Sequence, residues 1–369
     1  MSQRFLMSMG ALAVVIAVLS LPAVPVAAQT PAAAAKPAAQ AKTATPAKPT
    51  AAKPYAAPKT PWGDPDLQGI WNDATSTPLQ RPAALGEKGV LSEDEADQFA
   101  EELAENLNRD RRDGGPEADV NRAYNEHWMD AKRLEATKDR RTSLITDPPD
   151  GRIPSRVPLS PERAKARDTR AEQNARFLAG MPNDPEDLSL PVRCIIRTDS
   201  PPYLPTIYNN DFQIFQSPGL VVIQPEMIHS ARIIPVDGRP HLGKTFLQWL
   251  GDTRGHWEGS TLVLETTNFR RDDGVTYQNT DPETFKIVER LTRVDADRIN
   301  YEFTVSDPHT FTKPWSAMIP WNKTDEQIYE YGCHEGNYDI VHLLHMGRVR
   351  EAAGETVPRP RAAGAPEDR

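Results

Sequence analysis

Residues 285–307, FKIVERLTRVDADRINYEFTVSD, carry the clearest indication of the fold class. Apolar and β-branched residues alternate with polar ones on both sides of a central Asp-Ala-Asp, which is the pattern of two strands joined by a short turn. We predict strands over Phe285–Val294 and Ile299–Asp307. Both faces of the first strand carry charges, as the strand of a barrel with a polar interior would.

The same pattern continues along residues 191–350, where short apolar runs are separated by turn residues. It predicts a mainly β fold with N-terminal helices (α+β), in which an antiparallel meander closes as a lipocalin-like barrel or folds as a sandwich. The other predicted strands are Phe212–Gln216, Leu220–Gln224, Met227–Val236, Thr245–Leu250, Gly255–Glu258, Thr261–Asn268, Trp315–Trp321 and Gln327–His334.

Residues 61–190 are expected to form a helical and extended segment that packs on the sheet. Ser92 and Glu95 have the spacing of a capping box, and Ser160 before a proline marks another helix start. Helices are predicted at Leu91–Arg112, Val120–Lys138 and Ser160–Leu178. The last stretch, residues 351–369, is expected to be a disordered tail.

Residues 1–28 have the three parts of a secretory signal peptide. Arg4 supplies the positive start, residues 11–19 the apolar run, and Val26-Ala-Ala28 the cleavage site. The apolar run is short for a membrane span, which favours cleavage over an uncleaved anchor. Residues 29–60, rich in Ala, Pro and Lys, are predicted to be a disordered linker. The predicted localisation is periplasmic or secreted.

The charge balance argues against nucleic acid as a partner. The chain has 43 Lys and Arg residues against 52 Asp and Glu, a net charge of −9. The first 60 residues hold six bases and no acid, so residues 61–369 have 37 bases against 52 acids, a net charge of −15. Such a surface repels phosphate backbones. No second apolar stretch is long enough to span a membrane, and the oligomeric state stays open.

The chain has two cysteines, Cys194 and Cys333. In an oxidising compartment an even number favours a disulfide, which would stabilise the fold by about 3–5 kcal/mol. A pair of free thiols, one of them catalytic, is the alternative.

Three stretches carry a resemblance: TSLITDPPDGRIP within Arg141–Pro154, WEGSTLVLETTNF within Gly251–Asn268, and YEYGCHEGNY at Tyr329–Tyr338. Together they resemble a broad family of exported, functionally uncharacterised bacterial proteins, over about Pro61–Leu344. The resemblance implies a signal peptide and one domain, and it brings no activity or catalytic residue. The meander is also similar in pattern to lipocalin-type barrels, which by itself implies no function.

The first candidate site is Glu226-Met-Ile-His229-Ser-Ala-Arg232. In a flat strand Glu226 and Arg232 share a face, and His229 points to the other. In a ligand cavity Arg232 would bind a carboxylate or phosphate group of the substrate, while Glu226 and His229 would be catalytic candidates. The alternative is an ion pair between strands or a surface face.

The second candidate site is Tyr329–Tyr338, where Glu330 and His334 would share a strand face. They would lie too far apart to bond directly, so a carboxylate such as Glu226 would have to orient His334 as a general base. Asn337 would bind the substrate through its amide. The alternative is a disulfide anchor followed by the start of a helix over Tyr338–Gly347.

Trp257 and Trp321 are candidates for the wall of a pocket that holds a sugar ring or a flat apolar ligand; the alternative is a role in the core. No tight zinc spacing such as His-Glu-x-x-His occurs, so a metal held by His229, His334 and Glu226 is the weaker hypothesis. The serine nucleophile elbow, the Walker A loop and the dinucleotide fingerprint are also missing.

These patterns predict an exported soluble protein with a small-molecule pocket. Its expected activity is cofactor-free acid/base chemistry, as a lyase, isomerase or hydrolase, on a small organic or sugar-like substrate. Two alternatives stay open: a non-catalytic periplasmic ligand-binding barrel, and an envelope-structural protein that uses the Ala/Pro/Lys linker.

Overall fold

The computed structural model describes residues 55–108, 115–117, 129–197, 199–270 and 280–357. The predicted signal peptide, most of the predicted linker, residues 120–128 of the second predicted helix and residues 358–369 lie outside this part. Residues 129–138 of that predicted helix contain only the 3-10 turn Asp130–Arg133. No helix in the described ranges combines the length and apolar character needed to cross a membrane.

Ten strands form one antiparallel sheet, and nine of them follow one path, in the order β5-β4-β3-β1-β10-β9-β8-β7-β6. The strand β2 pairs with β10 beside β1. The sheet curves into a nearly closed barrel, so the predicted mainly β fold is confirmed and the barrel is favoured over the sandwich. The strands are β1 (Gly69–Asn72), β2 (Ile145–Asp147), β3 (Asp211–Ser217), β4 (Leu220–Pro225), β5 (Arg232–Pro235), β6 (Asp252–Glu258), β7 (Thr261–Thr267), β8 (Lys286–Asp295), β9 (Arg298–Ser306) and β10 (Trp315–Lys323).

The two end strands of this path, β5 and β6, meet at a seam. Because nine strands alternate in direction, the first and the last run parallel, and no ladder joins them within the described strands. Side chains close the seam instead: Arg232 of β5 donates a hydrogen bond of 3.0 Å to the Thr253 hydroxyl of β6. Gly255 of β6 permits the close approach, since a Cβ there would lie 2.7 Å from Val236 Cγ1.

Seven predicted strands are confirmed to within three residues, and three predictions differ from the structure. Met227–Val236 is a strand only over β5, because Met227–His229 is a 3-10 helix in which Ile228 has a φ of 60°. Thr245–Leu250 and Gln327–His334 form no strand. Both sides of β10 are already occupied, by β9 on one side and by β1 and β2 on the other, so the chain that follows β10 finds no open edge there.

Three longer helices lie in the described part. They are α1 (Glu93–Leu107), α2 (Pro161–Leu178) and α3 (Asp339–Ala352). Both sides of the predicted capping box are present at α1, because the Ser92 hydroxyl accepts from the Glu95 amide and the Glu95 carboxylate accepts from the Ser92 amide. Ser160 caps α2 in a similar way by accepting from the Arg163 amide.

Large aromatic side chains fill the barrel. Trp321 is fully buried and stacks on Phe212, with ring centroids 4.6 Å apart, and on Tyr301 at 4.7 Å. Trp315 packs edge-on against Phe303 at 5.5 Å. Side chains fill the interior of small barrels in this way. At the level of Trp321 the interior is therefore a packed core, and a functional site has to lie elsewhere.

Candidate functional site

Arg232, the predicted anion-binding residue, lies inside the barrel and is already paired. Its Nη1 and Nη2 donate to Glu289 Oε1 at 3.0 Å and Oε2 at 2.7 Å, and Glu289 also accepts from the Tyr301 hydroxyl at 2.8 Å. Burial alone would lower the pKa of Arg232, but the Glu289 carboxylate outweighs it and the pKa is raised. The alternative of an ion pair between strands therefore describes Arg232.

Glu226 lies apart from Arg232, just past the end of β4. It is buried, and its Oε1 accepts a hydrogen bond of 3.2 Å from the Tyr329 amide. Asp211 and Asp130 both act electrostatically on it. They also act on Asp73, the residue that follows β1. We call Asp73, Asp130, Asp211 and Glu226 the carboxylate cluster.

The pairing of β1 with β3 positions this cluster. Asn72 ends β1 opposite Asp211, the first residue of β3, and its Nδ2 donates to Asp211 Oδ1 at 2.8 Å. The Asp73 amide donates to the Asn210 carbonyl at 3.2 Å. Asn210 also holds Asp130, because its Nδ2 donates to Asp130 Oδ2 at 2.6 Å. Residues that are distant in sequence thus meet where two strands begin and end.

Arg133 supplies positive charge at the cluster. Its Nη1 lies 3.2 Å from Asp130 Oδ1 and 3.2 Å from Asp211 Oδ1, and its Nη2 contacts Glu326. The Asp130 side chain is 12 % exposed and that of Arg133 is 25 % exposed. The cluster therefore reaches the surface on the side of Asp130 and Arg133.

The surroundings of Asp73 strongly shift the pKa of its carboxyl group. It is fully buried, and neither carboxyl oxygen finds a hydrogen-bond partner among the described residues. Burial raises the pKa of Asp73 well above its usual range, and the charges of Asp130 and Asp211 raise it further. This environment favours the neutral, protonated form of the Asp73 carboxyl.

Burial also raises the pKa values of Asp130 and Glu226. For Asp130, the Arg133 guanidinium and the Asn210 amide oppose part of the rise. For Glu226, the Tyr329 amide does so. Carboxyl groups whose surroundings separate their pKa values can act as an acid and a base in one reaction.

The cluster does not have the arrangement of a metal centre. Oxygen ligands of this kind suit calcium or magnesium. Within the ranges that the structure describes, however, no group of three or more His, Cys, Asp or Glu residues is placed to hold a metal ion.

Glu330 and His334 are exposed on the loop after β10. Glu330 directly follows Tyr329, whose amide donates to Glu226. Their expected convergence depended on a strand that this segment does not form. His229 lies in the 3-10 helix after β4, and its side chain is outside the described residues.

The remaining predicted residues have structural contacts. Asn337 Nδ2 donates to the Val192 carbonyl at 3.0 Å and ties the last loop to the segment that carries Cys194. Cys194 and Cys333 are joined at disulfide distance, with Cα atoms 5.7 Å apart. Trp321 belongs to the core, and Trp257 is half-buried and packs against it.

Sequence reasoning found Glu226 but missed Asp73, Asp130 and Asp211. The available signal was modest: a carboxylate stands at the end of β1 and another at the start of β3, each beside an asparagine. No fixed spacing links these positions. Only the pairing of β1 with β3 brings them together.

The comparisons with known proteins add no relative. No family model matches the chain, and neither a curated protein nor a solved structure matches it. The family resemblance of the three sequence stretches therefore stays a prediction.

Proposed function

We propose that the protein is an exported enzyme that performs cofactor-free acid/base chemistry on a small organic molecule at the carboxylate cluster. The observation that supports this most is the fully buried Asp73 carboxyl, which has no hydrogen-bond partner among the described residues. Burying such a group costs about 1–3 kcal/mol. Strongly perturbed carboxyl groups occur preferentially at functional sites.

Asp130 is the group through which the cluster would contact a substrate. Asn210 and Arg133 fix its orientation, and its side chain is partly exposed while Asp73 is fully buried. The raised pKa of Asp130 brings its proton exchange closer to neutral pH. Ionised Asp130 would accept a proton from the substrate and return it at another atom, so that no cofactor is consumed. Glu226 is the candidate for the partner acid.

The charges around Asp130 favour one class of substrate. Three carboxylates, those of Asp130, Asp211 and Glu326, share the one guanidinium of Arg133. Carboxylates accept hydrogen bonds from hydroxyl and ammonium groups and repel anions. A polyol, a sugar-like molecule or a small amine therefore fits this site better than an organic acid.

The test begins with a thermal-shift screen of the full chain against small polyols, sugars and amines, followed by turnover assays on the compounds that stabilise it. Asp130→Asn should lower turnover by about 10²–10⁴-fold, the usual contribution of general acid/base catalysis. Asp168→Asn is the matched control, because Asp168 is exposed on α2 and pairs with Arg167. Wild-type turnover by Asp130→Asn would refute the proposal.

Native mass spectrometry separates turnover from binding alone. A ligand that the wild-type protein holds unchanged after incubation would favour the non-catalytic binding protein. Export is part of the same proposal, and the cysteine pair at disulfide distance supports it. Sequencing the protein recovered from outside the cytoplasm should give Gln29 as its first residue; an N-terminus at Met1 would refute cleavage.

A further inference from the structure

A groove with a volume of about 160 Å³ lies between α2 and the segment around Cys194. Two arginines and two serines line it, and an apolar wall completes it: Arg170, Arg197, Ser189, Ser200, Leu190 and Ile196. Cationic groups, hydroxyls and an apolar surface thus occur together on a chain whose net charge is −9.

The two arginines retain donors for a ligand. Within the described residues neither pairs with a carboxylate, and Arg170 makes only two long hydrogen bonds of 3.4 Å through Nη1, to Gln173 Oε1 and the Glu186 carbonyl. Arg197 hydrogen-bonds the side chains of Tyr331, at 3.4 Å, and of Tyr208, and its guanidinium lies 5.1 Å from the Tyr208 ring centroid. A guanidinium has five N–H donors, so most of them stay available.

Two acids of the same region have other partners. Asp199 is fully buried, and its Oδ1 accepts from the Arg197 backbone amide at 2.6 Å. Glu186 lies 3.7 Å from Arg193. The serine hydroxyls of Ser189 and Ser200 form no hydrogen bond within the described part, so they too are available as donors.

Both walls of the groove are anchored. The Cys194–Cys333 bond and the Asn337 hydrogen bond to Val192 hold the segment on one side. On the other side the ion pair of Arg176 with Asp187, at 2.5 Å, ties α2 to the chain before Ser189. A site held in place before binding spends less free energy on ordering its groups.

We infer that this groove binds a small organic acid, with its carboxylate between Arg170 and Arg197 and its short apolar part on Leu190 and Ile196. Guanidinium groups bind carboxylates through paired hydrogen bonds. The volume lies below the roughly 300–1,000 Å³ of pockets for drug-sized ligands, which sets the ligand at a few carbon atoms. The groove contains no member of the carboxylate cluster, so this inference is independent of the proposed enzyme activity.

The test is a ligand-observed NMR titration of the full chain with isobutyrate. Isobutyrate should bind saturably, and Arg170→Gln and Arg197→Lys should each weaken binding about tenfold, which corresponds to about 1.4 kcal/mol. Arg167→Gln is the matched control on the same helix, since Arg167 is exposed and pairs with Asp168, and it should bind like wild type. Isobutyramide, which has the same shape without the charge, should not bind.

Each of three results would overturn the inference. The first is the absence of saturable isobutyrate binding up to about 10 mM. This limit is ten times a Kd of about 1 mM, which corresponds to a binding free energy of about −4.1 kcal/mol. The second is wild-type affinity in both arginine variants, with their folding verified by thermal unfolding. The third is binding of inorganic phosphate without isobutyrate, which would assign the groove to a free inorganic anion. Asp130→Asn should keep isobutyrate binding, so the two proposals fail separately.

Discussion

The carboxyl of Asp73 lies at the end of β1 without solvent and without a hydrogen-bond partner among the described residues. In an unfolded chain an aspartate has a pKa of about 3.9, and burial raises the pKa of Asp73 in the folded protein. Between these two values the folded state binds more protons than the unfolded state, so this residue's contribution to stability falls as pH rises through that window.

We expect Asp73→Asn to raise the free energy of unfolding at neutral pH. Asparagine keeps the shape of the side chain and cannot ionise, and each unit of pKa shift that it removes is worth about 1.4 kcal/mol. The gain should shrink as pH is lowered toward about 4, near the pKa of an unfolded aspartate. Urea unfolding at several pH values measures this difference.

Asp211→Asn is the matched comparison for that measurement. Asp211 accepts from Asn72 and pairs with Arg133, so its replacement should destabilise the protein. If Asp73→Asn were as destabilising as Asp211→Asn, or if its stability followed the wild-type pH dependence, the raised pKa of Asp73 would be wrong.

Whereas Asp73→Asn should stabilise the protein, removing one partner of the Arg232–Glu289 ion pair should destabilise it. Both side chains are buried, so Glu289→Leu would leave the Arg232 charge without its partner, at an expected cost of about 3–5 kcal/mol. The double variant Arg232→Met with Glu289→Leu should recover most of that loss, because neither charge is then buried. A single variant that loses less than about 1 kcal/mol, the usual value of an exposed pair, would contradict the buried arrangement.

At this scale the sequence allows part of the site to be predicted. The sequence left an ion pair between strands open for Arg232, but strand periodicity does not say that Glu289 would be its partner. Glu226 was recognised as a candidate, and its neighbours Asp73 and Asp130 were not. Those three come from distant segments, and no local spacing encodes their proximity.

The seam between β5 and β6 depends on a missing side chain at Gly255. A Cβ at this position would lie 2.7 Å from Val236 Cγ1 and 3.0 Å from Leu264 Cδ2. We expect Gly255→Ala to force the end strands apart and to cost about 1–3 kcal/mol of unfolding free energy. Chemical denaturation of the variant measures the loss.

Gly243→Ala is the control for that variant. A Cβ at Gly243 would meet Phe246 Cδ2 at 3.8 Å, an ordinary contact, so its stability should stay within about 0.5 kcal/mol of wild type. Equal stability of both alanine variants would contradict the tight packing of the seam.

Elements with a strong local signal were predicted well, and the failures have a common cause. The hairpin of β8 and β9 and the capping box of α1 are encoded within a few residues, and both are present. The predicted strand Gln327–His334 has suitable apolar and aromatic residues, but β10, the strand it follows, has no open edge to pair with. The alternation of apolar and polar residues shows that a segment could form a strand. Whether it does so depends on the order of the strands in the sheet, which determines whether a neighbouring strand is available for pairing.

The cysteine pair acts on the molecule as a whole. Its members are 139 residues apart, and in the chain-entropy picture a loop of this size is worth about 4–5 kcal/mol. We expect the double variant Cys194→Ser with Cys333→Ser to lose about 3–5 kcal/mol of stability and to unfold at a lower temperature. Calorimetry on the oxidised protein, the reduced protein and the variant checks this. Indistinguishable unfolding of all three would contradict a stabilising role.

The global arrangement was the least predictable level. The short strand β1 inserts between β3 and β10, although 138 positions separate Asn72 from Asn210, the residue before β3. Residues 61–190 were expected to pack on the sheet, and β1 instead belongs to it. Such a short strand can be recognised only when the two strands beside it, β3 and β10, are known. Both lie much later in the chain.

The bond between Cys194 and Cys333 encloses the strands from β3 to β10 in a single covalent loop. A protease that severs the backbone once anywhere between the two cysteines therefore releases nothing, because both pieces stay linked through sulfur. On a gel without reductant the nicked protein would still migrate as one species. If the protein is exported, as proposed above, one cut by an external protease would therefore not separate its two parts.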